Sequence, residues 1–120
     1  MPLPMVHLSV GKKLIDMGFE ISNLPQFYLG LISPDAIHMR QNSNRLGKNE
    51  THLIPERKKW IDVNEEEYCR FIIDFIKANS DNIDIDFLWG YGIHILTDMY
   101  WTKHIYLKFR DDYKKDTASI

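Results

Sequence analysis

The sequence predicts an all-α fold. Apolar side chains recur three and four apart through most of the chain, and strand-type alternation is weak everywhere. Proline, glycine and asparagine stand where such helices would need to begin or stop.

The elements follow in order. Pro4 opens a first helix running to about Met17, with Val6, Val10, Leu14 and Met17 on one face, and Gly18 ends it. Pro25 opens a short second helix, Gln26 to Ile32, closed by the turn Ser33-Pro34-Asp35. Residues 39 to 60 are polar and irregular, with Asn42, Asn44, Gly47, Asn49 and Pro55, and read as a long loop. Long loops in compact domains are often functional, and this one carries His52. Asn64 caps a third helix, in which Glu65, Glu66 and Glu67 complement the dipole and Tyr68, Phe71, Ile72, Phe75 and Ile76 form the apolar face. It ends near Asn79. A fourth helix starts at about Asp84 and carries Phe87, Leu88, Tyr91, His94, Ile95 and Asp98. Gly90 and Gly92 lie inside it, each costing roughly 1 kcal/mol relative to Ala, so another backbone or a ligand is expected to come close there.

Composition narrows the function. At 120 residues the chain is a single domain by length. A formal charge of −2 offers no basic field, so no stable nucleic-acid partner is expected. One cysteine, Cys69, excludes an internal disulfide and thiolate-rich zinc sites, so any ion must be held by nitrogen and oxygen. The most apolar stretch, Phe87 to Leu96, is too short to span a bilayer. The N-terminus lacks a basic n-region, and Pro2, Pro4 and His7 interrupt its apolar run. A soluble cytoplasmic protein is expected.

The chemistry concentrates in His7, Asp35, His52, His94, Asp98 and His104; His38 reads as a surface residue. His94 and Asp98 are four apart and stack on one helix face. They offer either two ligands to one ion or a hydrogen-bonded His–Asp pair in the core. At 100° per residue, His104 would sit roughly 80° from the line of His94. Either the helix bends near Trp101-Thr102, or His104 serves a second ion with Asp98 bridging, or it is a lone surface histidine. His7 among Val6, Val10 and Leu14 reads as a core histidine or a ligand. His52 is a solvated loop residue or a ligand, and Asp35 braces a turn or ligates. No His-Glu-x-x-His, no His-Asp dipeptide, no paired Glu-x-x-His and no Gly-rich phosphate loop is present.

In order and spacing these pieces resemble the zinc-dependent phospholipase C family, whose relatives include the zinc nucleases. Met1-Pro2 through His7 is similar to its opening motif, and Phe27 to Asp35 to its segment ending in Pro-Asp. Lys48 to His52 is similar to its Thr-His loop, Gly90 to Asp98 to its Gly-x-x-x-His-x-x-x-Asp helix, and His104 to its next histidine. The resemblance spans about residues 1 to 110. It implies a helical bundle in which Asp35, His52, His94 and Asp98 share one zinc. His7 and Asp98 would help hold another, and His104 would contribute to a third, for one to three ions in all. It implies Asp35 as general base and a small-molecule or lipid phosphodiester as substrate.

The chain departs from the family twice. It starts Met1-Pro2 where secreted members use a processed N-terminal Trp as ligand, and no His-x-x-x-Glu or His-x-x-x-Asp pair follows His104. A domain incomplete at its C-terminus, as a fragment or as a naturally shortened member, or a member holding fewer ions, is the expectation. Phe75, Ile76, Ile105 and Phe109 are then expected to need cover from further helices or from a second copy in a homodimer. The rival function is a non-catalytic domain, metal-stabilised or metal-free, acting in protein interaction.

Overall fold

The computed structural model describes residues 4–39, 52–53 and 63–118. The fold is all-α, with no strand among the described residues. Helix α1 is Pro4–Asp16 and α2 is Leu24–Ile32, continued by a 3₁₀ stretch, Ser33–Met39. Helix α3 is Glu65–Asn79 and α4 is Ile85–Tyr100. A π-helical stretch, Trp101–Tyr106, leads into α5, Leu107–Ala118. The expected loop at 39 to 60 lies outside the described residues apart from Met39, His52 and Leu53.

The helix ends obey local chemistry. Gly18, at φ 105°, takes the left-handed conformation that glycine adopts without penalty. Its N–H donates to the Ile15 carbonyl and the Phe19 N–H to the Leu14 carbonyl, a Schellman closure of α1. Asn23 caps α2 by accepting the Gln26 N–H, Asn64 caps α3 by accepting the Glu67 N–H, and Asp84 caps α4.

Helix α4 is the central element. Its Leu88, Ile95 and Met99 form the core with Val63, Tyr68, Ile72 and Ile76. Phe27 and Leu31 of α2 are fully buried. At the α2–α4 crossing the backbones touch: a Cβ on Gly30 would lie 2.1 Å from the Phe87 carbonyl oxygen, and one on Gly90 would lie 2.1 Å from the Phe27 carbonyl oxygen. Each glycine therefore sits where the other helix's main chain needs room, the close approach expected from Gly90. Gly92 does the same toward α3, admitting Ile72 and Ile76.

Asp86 ties the two helix starts together. Its carboxylate is nearly buried and accepts the Asn23 backbone N–H at 2.7 Å. An Asp86→Ala change should cost about 1.5–3 kcal/mol, the range for hydrogen bonds to charged groups. A urea titration followed by circular dichroism measures it, and a loss no larger than a surface substitution's would contradict the role.

The face Val6, Val10, Leu14, Met17 does not enter the core, and one packing expectation, at Ile76, needs correction. Helix α1 turns His7 and Gly11 inward instead, because Gly11 admits the Leu31 side chain and His7 joins the polar cluster described below. Val6, Val10 and Leu14 line an open groove, and Met17 is 72% exposed. Nor does Ile76 await an outside partner, since Gly92 makes space for it inside. Phe75 is half-buried beside Tyr91, whereas Ile105 and Phe109 are exposed. No described helix is long and apolar enough to cross a membrane.

Candidate metal centre

Three histidines and two carboxylates converge between α1, the 3₁₀ stretch, the His52 turn and α4. His94 and Asp98 come from successive turns of α4, where their i,i+4 spacing lays them side by side. Asp35 sits in the first turn of the 3₁₀ stretch, behind the buried ring of Pro34. His7 projects from the inner side of α1.

His52 is set by a turn in which Leu53 takes φ 55°, unusual for a residue with a side chain. The Tyr68 hydroxyl, on α3, donates to the Leu53 carbonyl at 2.6 Å and lies 3.3 Å from the His52 carbonyl oxygen. Burial first, and then neighbouring Tyr91, pushes the Tyr68 phenol above its ordinary range, so it stays a proton donor. Tyr68 is thus a positioning residue for His52.

The donor atoms meet closely. His52 Nε2 lies 2.9 Å from Asp35 Oδ1 and 3.3 Å from Asp98 Oδ2. His94 Nε2 lies 3.5 Å from Asp35 Oδ1 and 3.4 Å from Asp98 Oδ2. All four groups offer ligand atoms within 4.8 Å of one another, and this group can hold a metal ion.

His7 completes a second layer. Its ring stacks on His94 at 3.6 Å between centroids, 9° from parallel. Its Nε2 is 3.1 Å from Asp98 Oδ1 and 4.0 Å from Asp35 Oδ2. The two oxygens of Asp98 are therefore divided, Oδ2 toward His52 and His94, Oδ1 toward His7.

Hydrogen-bond accounting favours a cation over a satisfied polar core. His94 Nδ1 donates to the Leu31 carbonyl, which turns an unprotonated Nε2 toward the carboxylates in the neutral ring. Among the described residues, His94 Nε2, both nitrogens of His7 and both oxygens of Asp98 are buried without a well-aligned hydrogen bond, whereas His52 Nε2 and Asp35 Oδ1 are hydrogen-bonded to each other. Unpaired buried polar atoms are costly, and a cation that accepts lone pairs satisfies nitrogen and oxygen together. The charges act in two directions: the carboxylates stay ionised, while His94 holds a proton that an incoming ion must displace. Burial opposes ionisation of Asp35, but His52 and His94 outweigh it and hold this carboxyl well below the usual range. Asp98 is also lowered: burial raises it, and His7 and His94 overcome that. His94 loses basicity to burial and regains more from Asp35 and Asp98, ending at about 9.

Exposure separates the members. His7, His52, His94 and Asp98 are shut off from water, while the Asp35 side chain is 16% exposed and forms the mouth.

His104 stands elsewhere. It lies on the π stretch, exposed, paired with Glu65 in the first turn of α3 and resting against the Tyr100 ring. The side chain of His38 lies outside those described. Two contributors escaped sequence reasoning: the Leu31 carbonyl, because a main-chain acceptor carries no residue signature, and Tyr68, whose place on an apolar helix face reads as core alone. No protein-family model, no curated protein and no solved structure matches the chain.

Proposed function

We propose that the chain is a zinc-dependent hydrolase of phosphodiester bonds, similar to the zinc-dependent phospholipases C. The observation that carries the zinc reading is the spacing of the donors. Zinc–nitrogen and zinc–oxygen bonds of about 2.0–2.2 Å in a tetrahedron put neighbouring ligand atoms about 3.3–3.6 Å apart. The four nitrogen–oxygen separations around Asp35, His52, His94 and Asp98 run from 2.9 to 3.5 Å. Two imidazoles and two carboxylates suit zinc's preference for nitrogen and oxygen where thiolates are lacking.

A zinc ion there would be a Lewis acid for a phosphoryl oxygen, and with a fifth position open beside the four protein ligands it would lower the pKa of a bound water toward about 7. The protein's own contribution starts with Asp35, the member that meets solvent. A carboxylate at that position is placed to take the proton of an attacking water or to orient the water. The Leu31 carbonyl fixes the tautomer and tilt of His94, and Tyr68 fixes the turn that presents His52. Asp98 Oδ1 and His7 form the beginnings of a second position, which supports more than one ion.

Full burial of His52, His94 and Asp98 favours a second reading, an ion held for stability alone. Structural zinc contributes roughly 10–16 kcal/mol of binding free energy in small domains.

Elemental analysis of the purified protein, a melt with and without chelator, and turnover of a chromogenic phosphodiester test both readings. Zinc at one or more per chain, a melting temperature lowered by EDTA and restored by zinc, and zinc-dependent turnover are expected. Free zinc at 100 times Kd should add about 2.7 kcal/mol of stability. Zinc and stabilisation without turnover would leave only the structural reading. A melt indifferent to both additions, with no zinc found, would sink both.

A further inference from the structure

From Ile85 to Ala118 the chain is helical without a break, since α4 runs through the π stretch into α5. At 1.5 Å per residue this rod is about 50 Å long. The molecule measures 56 × 35 × 30 Å, so the rod accounts for its long dimension. Among the described residues, α5 packs chiefly against the π stretch that feeds it, and not on the bundle.

The π stretch sets the register of the rod. A π turn holds one residue more than an α turn, which shifts every later side chain round the axis. In an uninterrupted α-helix the face of Ile93, Thr97 and Trp101 would continue through His104 and Lys108, at steps of three and four. With the extra residue it continues through Ile105 and Phe109. Ile105 indeed lines the same groove as Ile93, Leu96, Thr97 and Trp101. Val6, Val10 and Leu14 of α1 form the opposite wall of that groove, about 450 Å³ in volume and almost wholly apolar. One apolar face thus runs along the rod, and α1 flanks only its first half. On the second half Phe109 is 71% exposed.

We propose that a second copy of this chain fills the groove. The two rods pack antiparallel about a two-fold axis at the π stretch, so that Phe109 of each copy enters the α1–α4 groove of the other. Self-complementarity is what such an isologous contact requires, and this face has it. Its one end is a groove and its other end is a ridge. One charge pair matches as well. Lys13 flanks the groove on α1 and Asp112 flanks Phe109 on α5, both exposed, while Asp111 is already paired with Arg110 of its own chain. Antiparallel packing brings Asp112 of one copy to Lys13 of the other. A fold-back of α5 onto its own groove would require breaking the rod at the π stretch.

Sedimentation equilibrium across the micromolar range, with zinc supplied, tests the proposal. The chain should dimerise. Phe109→Glu should weaken association by about thirtyfold, as expected for a central aromatic anchor. Phe109 is exposed within one copy, so helicity and melting of the dilute protein should not change. Lys13→Glu should weaken association by about fivefold, and adding Asp112→Lys should restore it. A Val10→Cys, Phe109→Cys pair in a Cys69→Ser background should cross-link between chains on oxidation. A protein monomeric throughout, a dimer indifferent to Phe109→Glu, or cross-links formed only within a chain would each overturn the proposal.

Discussion

Asp98→Asn should abolish metal binding while leaving the helices in place. Asp98 is the shared member of the centre, with Oδ2 facing His52 and His94 and Oδ1 facing His7. The amide keeps the shape but removes the charge and puts a donor where a cation needs an acceptor. Loss of an outer hydrogen-bond partner costs metal sites about 10–100-fold in affinity or activity, and loss of a direct ligand should exceed that. Two stability effects oppose each other in the metal-stripped protein. Removing one partner of a buried ionic cluster costs about 3–5 kcal/mol, but the neutral amide also escapes the cost of burying a charge. In the metal-loaded protein the lost ion decides, and the variant should melt at the temperature of chelated parent. Elemental analysis and calorimetry of both proteins check this. A variant that retains the parent's metal content would show that the ion lies elsewhere.

Gly90→Ala, with Gly30→Ala as its equal, should produce one of the largest losses of stability that one methyl group can cause in this fold. Helix propensity favours the change by about 1 kcal/mol. Against it, the new Cβ would lie 2.1 Å from the Phe27 carbonyl oxygen and 2.9 Å from the Leu31 nitrogen. Main-chain atoms of a packed helix cannot swing aside as a side-chain terminus does, so α2 must move bodily. Overpacking typically costs about 1–3 kcal/mol, and a clash with backbone belongs at or above the top of that range. Steric cost therefore wins. Gly11→Ala is the control, because its closest clash is with a terminal methyl of Leu31, which has a rotamer to change. Thermal melts should rank Gly90→Ala far below Gly11→Ala. Equal losses would mean that the crossing is not as tight as described.

What the residues disclosed in advance, and what they did not, divides along the range of the forces. Helix starts and stops at Gly18, Pro25, Asn64 and Asn79 were legible, because caps are satisfied by side chains within a few positions. The tight approach at Gly90 was legible as a cost needing a reason, though the reciprocal glycine at 30 was not. The shared face of Val6, Val10 and Leu14 was legible, but that His7 and Gly11 and not this face turn to the core was not, because apolar spacing carries no sign of a polar cluster. Burial of His7 is dictated by carboxylates that are distant in sequence. The π stretch lies where the alternatives for His104 required a bend, but its direction is a tertiary outcome. It carries His104 to Glu65 at the surface. Convergence of His52 with His94 and Asp98 was what the resemblance to the phospholipase C family implied, whereas the atoms that aim them, the Leu31 carbonyl and the Tyr68 hydroxyl, left no such trace.

The glycine-to-backbone crossing of α2 and α4 also bears on which ions the centre accepts. Leu31 and Asp35 follow directly from one side of that crossing, and His94 and Asp98 from the other. With main chains in contact there is no intervening layer of side chains to compress or relax. Three of the four ligands therefore hang from one stiff frame, and only His52 arrives on a separate stretch of chain. A calcium-sized ion, which takes six to eight oxygens at about 2.3–2.6 Å, would need those three ligands to retreat together. Were zinc bound there, discrimination by ionic radius would be written into two hydrogen atoms, the side chains of Gly30 and Gly90.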